Sequence, residues 1–226
     1  MPVSSSKFIT HPNGQKTHYR WIPFFSRHYR VIRRDGRGHG LSSYHLPDST
    51  YAYTAKTIVD EIVDTLDQLK LEKVHFLGES TSGMVGSILA ARYPERLHYW
   101  DLAAGGEALS KVPGTVSVRD PEYGKWWIDQ VSVSAGEGLA SYAEFLSGLD
   151  ARPYYRDIKV PMLILSPANS AATKLEEQME IQKQVKGSQL VIIEGKGHEI
   201  YVEKAEECQL AVKHFLGSLK EEKWCG

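Results

Sequence analysis

The chain has 226 residues, with 27 Lys+Arg against 28 Asp+Glu and a formal net charge of −1. Hydrophobic residues make up 42% and charged residues 24%, the balance of an ordinary globular protein long enough to bury a sizeable core without staples. Balanced charge excludes the basic excess that a nucleic-acid binder needs to neutralise phosphates, and the polybasic patch of a membrane-surface protein.

Taken from the start, Met1–Lys7 lacks the apolar core of a secretory signal. Tyr29–Ile32 reads as a strand, followed by Asp35-Gly36-Arg37-Gly38-His39-Gly40, a loop too rich in glycine for regular structure. From Thr54 to Leu71, apolar residues at Ala55, Ile58, Ile62, Leu66 and Leu69 mark one buried face of a helix. Lys73–Leu77 is a short buried strand, Gly83–Tyr93 a helix of small and aliphatic residues stopped by Pro94, and Leu97–Ala103 the next strand. Gly105 to Asp157 changes character, with Trp126, Trp127 and short helical pieces such as Gly138–Leu149. It reads as a cap-like insertion within a single domain of residues 1–226. Strand Val160–Leu165, helix Thr173–Val185, strand Gln189–Glu194 and a last helix from Glu203 to Lys220 complete the series.

Alternating strands and helices predict an α/β protein with a mainly parallel sheet flanked by helices. The longest clean apolar run, near Val160–Leu165, is far short of the ~18 residues that span a bilayer. Cys208 and Cys225 read as free thiols in a reducing compartment, so the expected setting is the cytosol. No His/Cys/Asp cluster has metal-ligand spacing.

The chemistry concentrates in two places. Val74 to Met84 contains Gly78-x-Ser80-x-Ser82-Gly83, with a strand before it and a helix after it. A sharp strand-to-helix turn exposes a serine hydroxyl at the strand's carboxyl end, and small flanking residues are required because neighbouring strands crowd it. The Thr81 amide, at the helix N-terminus, then faces the place where an oxyanion would form. The second place is Leu190 to Glu199, where a buried strand ends in a glycine loop carrying His198. A general base must approach the serine from another loop on the same sheet edge, and His198 has that position. Asp35–Gly40 matches neither the P-loop spacing nor the dinucleotide fingerprint and reads as structural. Tyr142, Phe145, Tyr154 and Tyr155, with the two tryptophans, suit an apolar acyl pocket or simple packing equally well.

The run Arg30–Ser42, the elbow with Ala90–Leu97 after it, and Gly197-His198-Glu199 resemble the α/β-hydrolase superfamily, most closely its enol-lactonase and carboxylesterase-like members. The resemblance implies cofactor-free hydrolysis of a small ester or lactone, with Ser80 as nucleophile, His198 as base and the Thr81 amide as oxyanion donor. The implied partner is a small-molecule substrate; no nucleic acid or membrane is expected, and a homodimer stays open. Three departures stand out. The strand and His-Gly loop that supply a second oxyanion amide are missing before Trp21, the cap is short, and Ser166–Ser170 carries no carboxylate. The acid is then sought after strand Leu97–Ala103, where Glu107 follows two glycines and is favoured over Asp101. Asn169 is a neutral substitute, and Glu79, beside the serine, is a further candidate whose side chain is expected to point away from the hydroxyl. A non-catalytic ligand-binding protein and a C–C bond hydrolase remain the alternatives.

Overall fold

The computed structural model describes residues 7–10, 16–20, 25–44, 53–103, 128–129, 132–170, 173–198 and 200–221. In chain order the strands are β1 (Lys7–Thr10), β2 (Lys16–Arg20), β3 (Arg33–Arg34), β4 (Val74–Glu79), β5 (Leu97–Ala103), β6 (Met162–Pro167) and β7 (Gln189–Ile193). The helices are α1 (Ala55–Gln68), α2 (Thr81–Arg92), α3 (Gly136–Gly148), α4 (Leu175–Gln184), α5 (Ile200–Glu203) and α6 (Ala205–Glu221). They divide between two compact units, one drawn from 1–72 and 126–149 and the other from 73–125 and 150–226.

In the first unit, β1, β2 and β3 form an antiparallel ladder. The strand expected at Tyr29–Ile32 is displaced: 28–32 is turn and irregular chain, and pairing with β2 begins at Arg33. An apolar pair such as Val31-Ile32 is no guide to where a two-residue edge ladder forms, because its register follows its partner. Helix α1 begins at a reciprocal cap, the Thr54 hydroxyl accepting from the Thr57 amide and the Thr57 hydroxyl from the Thr54 amide. It buries Ile58, Val59, Ile62 and Leu66, and with them Glu61.

Glu61 is matched by the glycine-rich loop. Arg37 is fully buried, and its Nε donates to Glu61 Oε1 at 2.9 Å while Nη2 donates to the same oxygen. The Ser42 hydroxyl donates to the Asp35 carbonyl at 2.8 Å and holds the loop closed. Helix α3 lies against this loop: the Gly40 amide donates to Ser134 Oγ at 2.8 Å, and the His39 ring meets Tyr142 edge-on at 4.3 Å. Tyr142 and Phe145 pack with Tyr53, so these two aromatics fill the first unit. Trp126 and Trp127 lie outside the described residues.

Loop and helix touch backbone to backbone at Gly38 and Gly138. A Cβ on Gly138 would stand 2.8 Å from Gly38 Cα and 2.8 Å from Tyr44 Cβ, and the backbone cannot yield cheaply. Gly138→Ala should therefore destabilise the first unit by about 1–3 kcal/mol. Gly136→Ala, where a Cβ meets nothing within 4 Å, should be neutral or mildly stabilising. Hydrogen exchange of the α3 amides checks the pair; equal protection in both variants contradicts the close approach.

The second unit is a four-stranded parallel sheet in the order β4-β5-β6-β7. Every residue of β6 is buried, as a central parallel strand covered on both faces requires. Helix α2 packs on β4 and β5 and buries Val85, Ile88, Leu89 and Ala90. It is apolar nearly all round because it is enclosed nearly all round. Helix α6 adds Val212, Phe215 and Leu216 to this core, with the Phe215 ring edge-on to Tyr99 at 5.2 Å. Cys208 is a buried cysteine on α6, outside any disulfide, and its thiol donates to the Ile200 carbonyl at 3.6 Å; Cys225 is outside the described residues.

Candidate active site

Parallel strands put all their carboxyl ends on one edge, and the chemistry-bearing residues follow β4 and β7 there. Ser80 lies one step past β4 and one before α2, at φ 58° and ψ −124°. Among the described residues only Lys70 is a second non-glycine with positive φ. Lys70 is explained by the end of α1, where the Leu71 amide reaches back to the Leu66 carbonyl at 2.9 Å in a left-handed cap. No such cap accounts for Ser80. It stores strain on the order of 1–3 kcal/mol, which persists because β4 and α2 pin both sides of the turn.

The glycines on either side, Gly78 and Gly83, are both buried and add no side-chain bulk to the crowded turn. The Ser80 carbonyl accepts from the amides of Gly83 at 2.8 Å and Met84 at 3.3 Å, the first bonds of α2. The Thr81 amide belongs to the first turn, where a helix offers no carbonyl of its own, so it is directed outward at the positive end of the dipole.

His198 starts from the far side of the sheet. β7 is three strand spacings from β4, about 14 Å. The five residues after Ile193 cover that distance only if they run back across the ends of β6 and β5. Backbone bonds hold them on this course: the Ala168 amide donates to the Ile193 carbonyl at 2.9 Å and the Asn169 amide to the Gly195 carbonyl at 3.1 Å. The Gly197 amide donates to Glu203 Oε2 at 2.7 Å, and a side chain at Gly197 would collide with that carboxylate. His198 arrives 8% exposed, with Nε2 3.5 Å from Glu79 Oε1. Burial pushes the imidazole below its ordinary range, favouring the neutral ring that accepts a proton.

The elbow and the histidine loop are thus brought together through Glu79, which the sequence offered only as a further candidate behind Glu107 and Asp101. Its carboxylate is turned toward His198, and no local pattern announces a contact across more than a hundred residues. Glu107 lies outside the described residues. Asp101 is placed two residues before the end of β5, level with Leu77 rather than with the elbow. The Asn169 side-chain amide donates to Glu194 Oε1 at 3.3 Å. Among the described residues no group of three or more His, Cys, Asp or Glu could hold a metal ion, and no helix is long and apolar enough to cross a membrane.

The fold is shared widely among solved structures. The enol-lactonase from Burkholderia xenovorans superposes with a TM-score of 0.81 at 23% identity, covering 93% of this chain and all of that one. An esterase from Exiguobacterium antarcticum gives a TM-score of 0.75 at 18% identity over 96% of this chain. The family model described as alpha/beta hydrolase fold matches residues 12–98. This chain has the α/β-hydrolase fold. A second model of that kind of protein, described as TAP-like protein, matches residues 149–223. In sequence, 3-oxoadipate enol-lactonase 2 of Acinetobacter baylyi is 25% identical over 219 residues, which cover 85% of this chain and 80% of that protein.

Proposed function

We propose that the protein is a serine hydrolase that cleaves a small carboxylic ester or lactone through an acyl-enzyme. Ser80 Oγ attacks the carbonyl carbon, and His198 takes the hydroxyl proton and returns it to the leaving oxygen. The Thr81 amide donates to the oxygen that gains the electron pair. Water then repeats the sequence on the acyl group, freeing the acid and Ser80. Glu107, which follows two glycines beyond β5, is carried as the residue that orients the imidazole. The substrate class rests on likeness: the Acinetobacter relative is an enol-lactonase, and the chain covers four-fifths of its length.

The observation that carries the reading is the backbone of Ser80, since strain of this kind is retained where it exposes a reactive group. The test is a fluorophosphonate probe followed by intact mass and peptide mapping. One adduct, on Ser80, is expected on folded protein and none after heat unfolding. An adduct on another serine, or none, overturns the nucleophile assignment.

A further inference from the structure

We propose that Glu79, the residue immediately before Ser80, is the counter-charge of His198, stabilising the imidazolium that forms each time the ring takes a proton. The inference rests on the serine-hydrolase reading and adds to it a positioning residue inside the elbow.

The contact is 3.5 Å, longer than a good hydrogen bond but within ion-pair range. An imidazolium spreads its charge over both nitrogens, so the attraction holds whichever nitrogen faces the serine. The ring needs it. His198 is buried, and burial alone makes the protonated ring costly. A base that cannot hold a proton cannot take one from Ser80. Glu79 is about a quarter exposed, so its carboxylate lies against the buried ring while still reaching solvent.

Among the described residues, other charges near the loop are engaged elsewhere or face solvent. Glu203 accepts from the Gly197 amide, Glu194 accepts from Asn169, and Lys196 is exposed. The step balances without further reagents. The serine proton moves to the imidazole as the Oγ–carbon bond forms, then moves on to the leaving oxygen. Glu79 stays a carboxylate throughout.

Glu79→Gln keeps the shape and removes the charge, whereas Glu79→Asp keeps the charge. Two readouts separate this proposal from the reading beneath it. Nitrogen-detected NMR of the ring, assigned with His198→Gln, gives the imidazole pKa without any turnover. Hydrolysis of p-nitrophenyl acetate gives kcat and KM against pH. In Glu79→Gln the imidazole pKa should fall by about one unit. There kcat should drop about tenfold or more with KM within a factor of about two, since one pKa unit corresponds to a tenfold effect. The acid limb should move the same way, and Glu79→Asp should restore part of both.

An unchanged pKa in Glu79→Gln, a shifted pKa with unchanged kcat, or no recovery in Glu79→Asp overturns the proposal. If Glu79→Gln does not fold, added salt tests the wild type. Screening should lower the imidazole pKa, and a constant value overturns the proposal. Failure of the hydrolase reading looks different: no Ser80 adduct and no turnover, even with the imidazole shift present.

Discussion

Ser80→Ala should lower ester turnover by about 10⁴–10⁶-fold, His198→Ala should lower it about as much, and the double variant should be little worse than either. The reason is that the two side chains share one event. The hydroxyl is a poor nucleophile until its proton has somewhere to go, and the imidazole has nothing to activate once the hydroxyl is gone. Residual rate comes from the Thr81 amide and substrate binding, which neither substitution touches. Independent multiplicative losses would contradict a shared step, and a tenfold loss at Ser80 would remove it as nucleophile. The pH profile carries a sign as well. The working base is the neutral ring, and burial lowers its pKa from the ordinary 6.5, so turnover should rise through a limb below that value. A limb above it would mean that the nearby carboxylate outweighs desolvation.

The elbow is legible in sequence because its requirements are local. A strand must end, the next residue must tolerate a strained turn, and its neighbours must be small, all within Gly78 to Gly83. Strand β5 falls at its expected residues, and β4, β6 and β7 lie within two residues of theirs; β6 is buried throughout, as an inner parallel strand requires, while β4 and β7, at the ends of the strand order, leave Leu77 and Ile192 exposed. The short ladder β1-β2-β3 leaves no such trace, since strands of two to five residues carry too little periodicity to read. Glu61 is hidden for a different reason. The apolar stripe of α1 marks which face is buried, but a carboxylate there makes sense only with an arginine 24 residues earlier. The Glu79–His198 contact is of the same kind. It depends on a loop crossing two strand ends, which no pattern within either segment encodes.

Glu61→Gln should be the most destabilising single change in the first unit, costing about 3–5 kcal/mol, and Arg37→Met should cost less. The asymmetry follows from counting charges. Arg37 has a side chain fully shielded from solvent and donates two hydrogen bonds to Glu61 Oε1, while Arg34 stands 3.8 Å from Oε2. One carboxylate therefore serves two guanidinium groups. Removing it leaves both cations behind, one with no route to water, and burial already lowers the pKa of Arg34. Removing Arg37 instead leaves Glu61 with a remaining partner, Arg34, at 3.8 Å, so one buried carboxylate faces one cation and neither charge is orphaned. Replacing the pair together, Arg37→Met with Glu61→Leu, should cost less than Glu61→Gln alone, since it buries no orphaned charge. Because the chain has two units, one global midpoint would mix their responses; exchange of the α1 amides from Ile58 to Leu66 reads the first unit directly. There Glu61→Gln should accelerate exchange by about a hundredfold or more, as each tenfold is about 1.4 kcal/mol. If Arg37→Met proves the costlier single change, Glu61 does not serve both arginines, and the charge count at the centre of this unit is wrong.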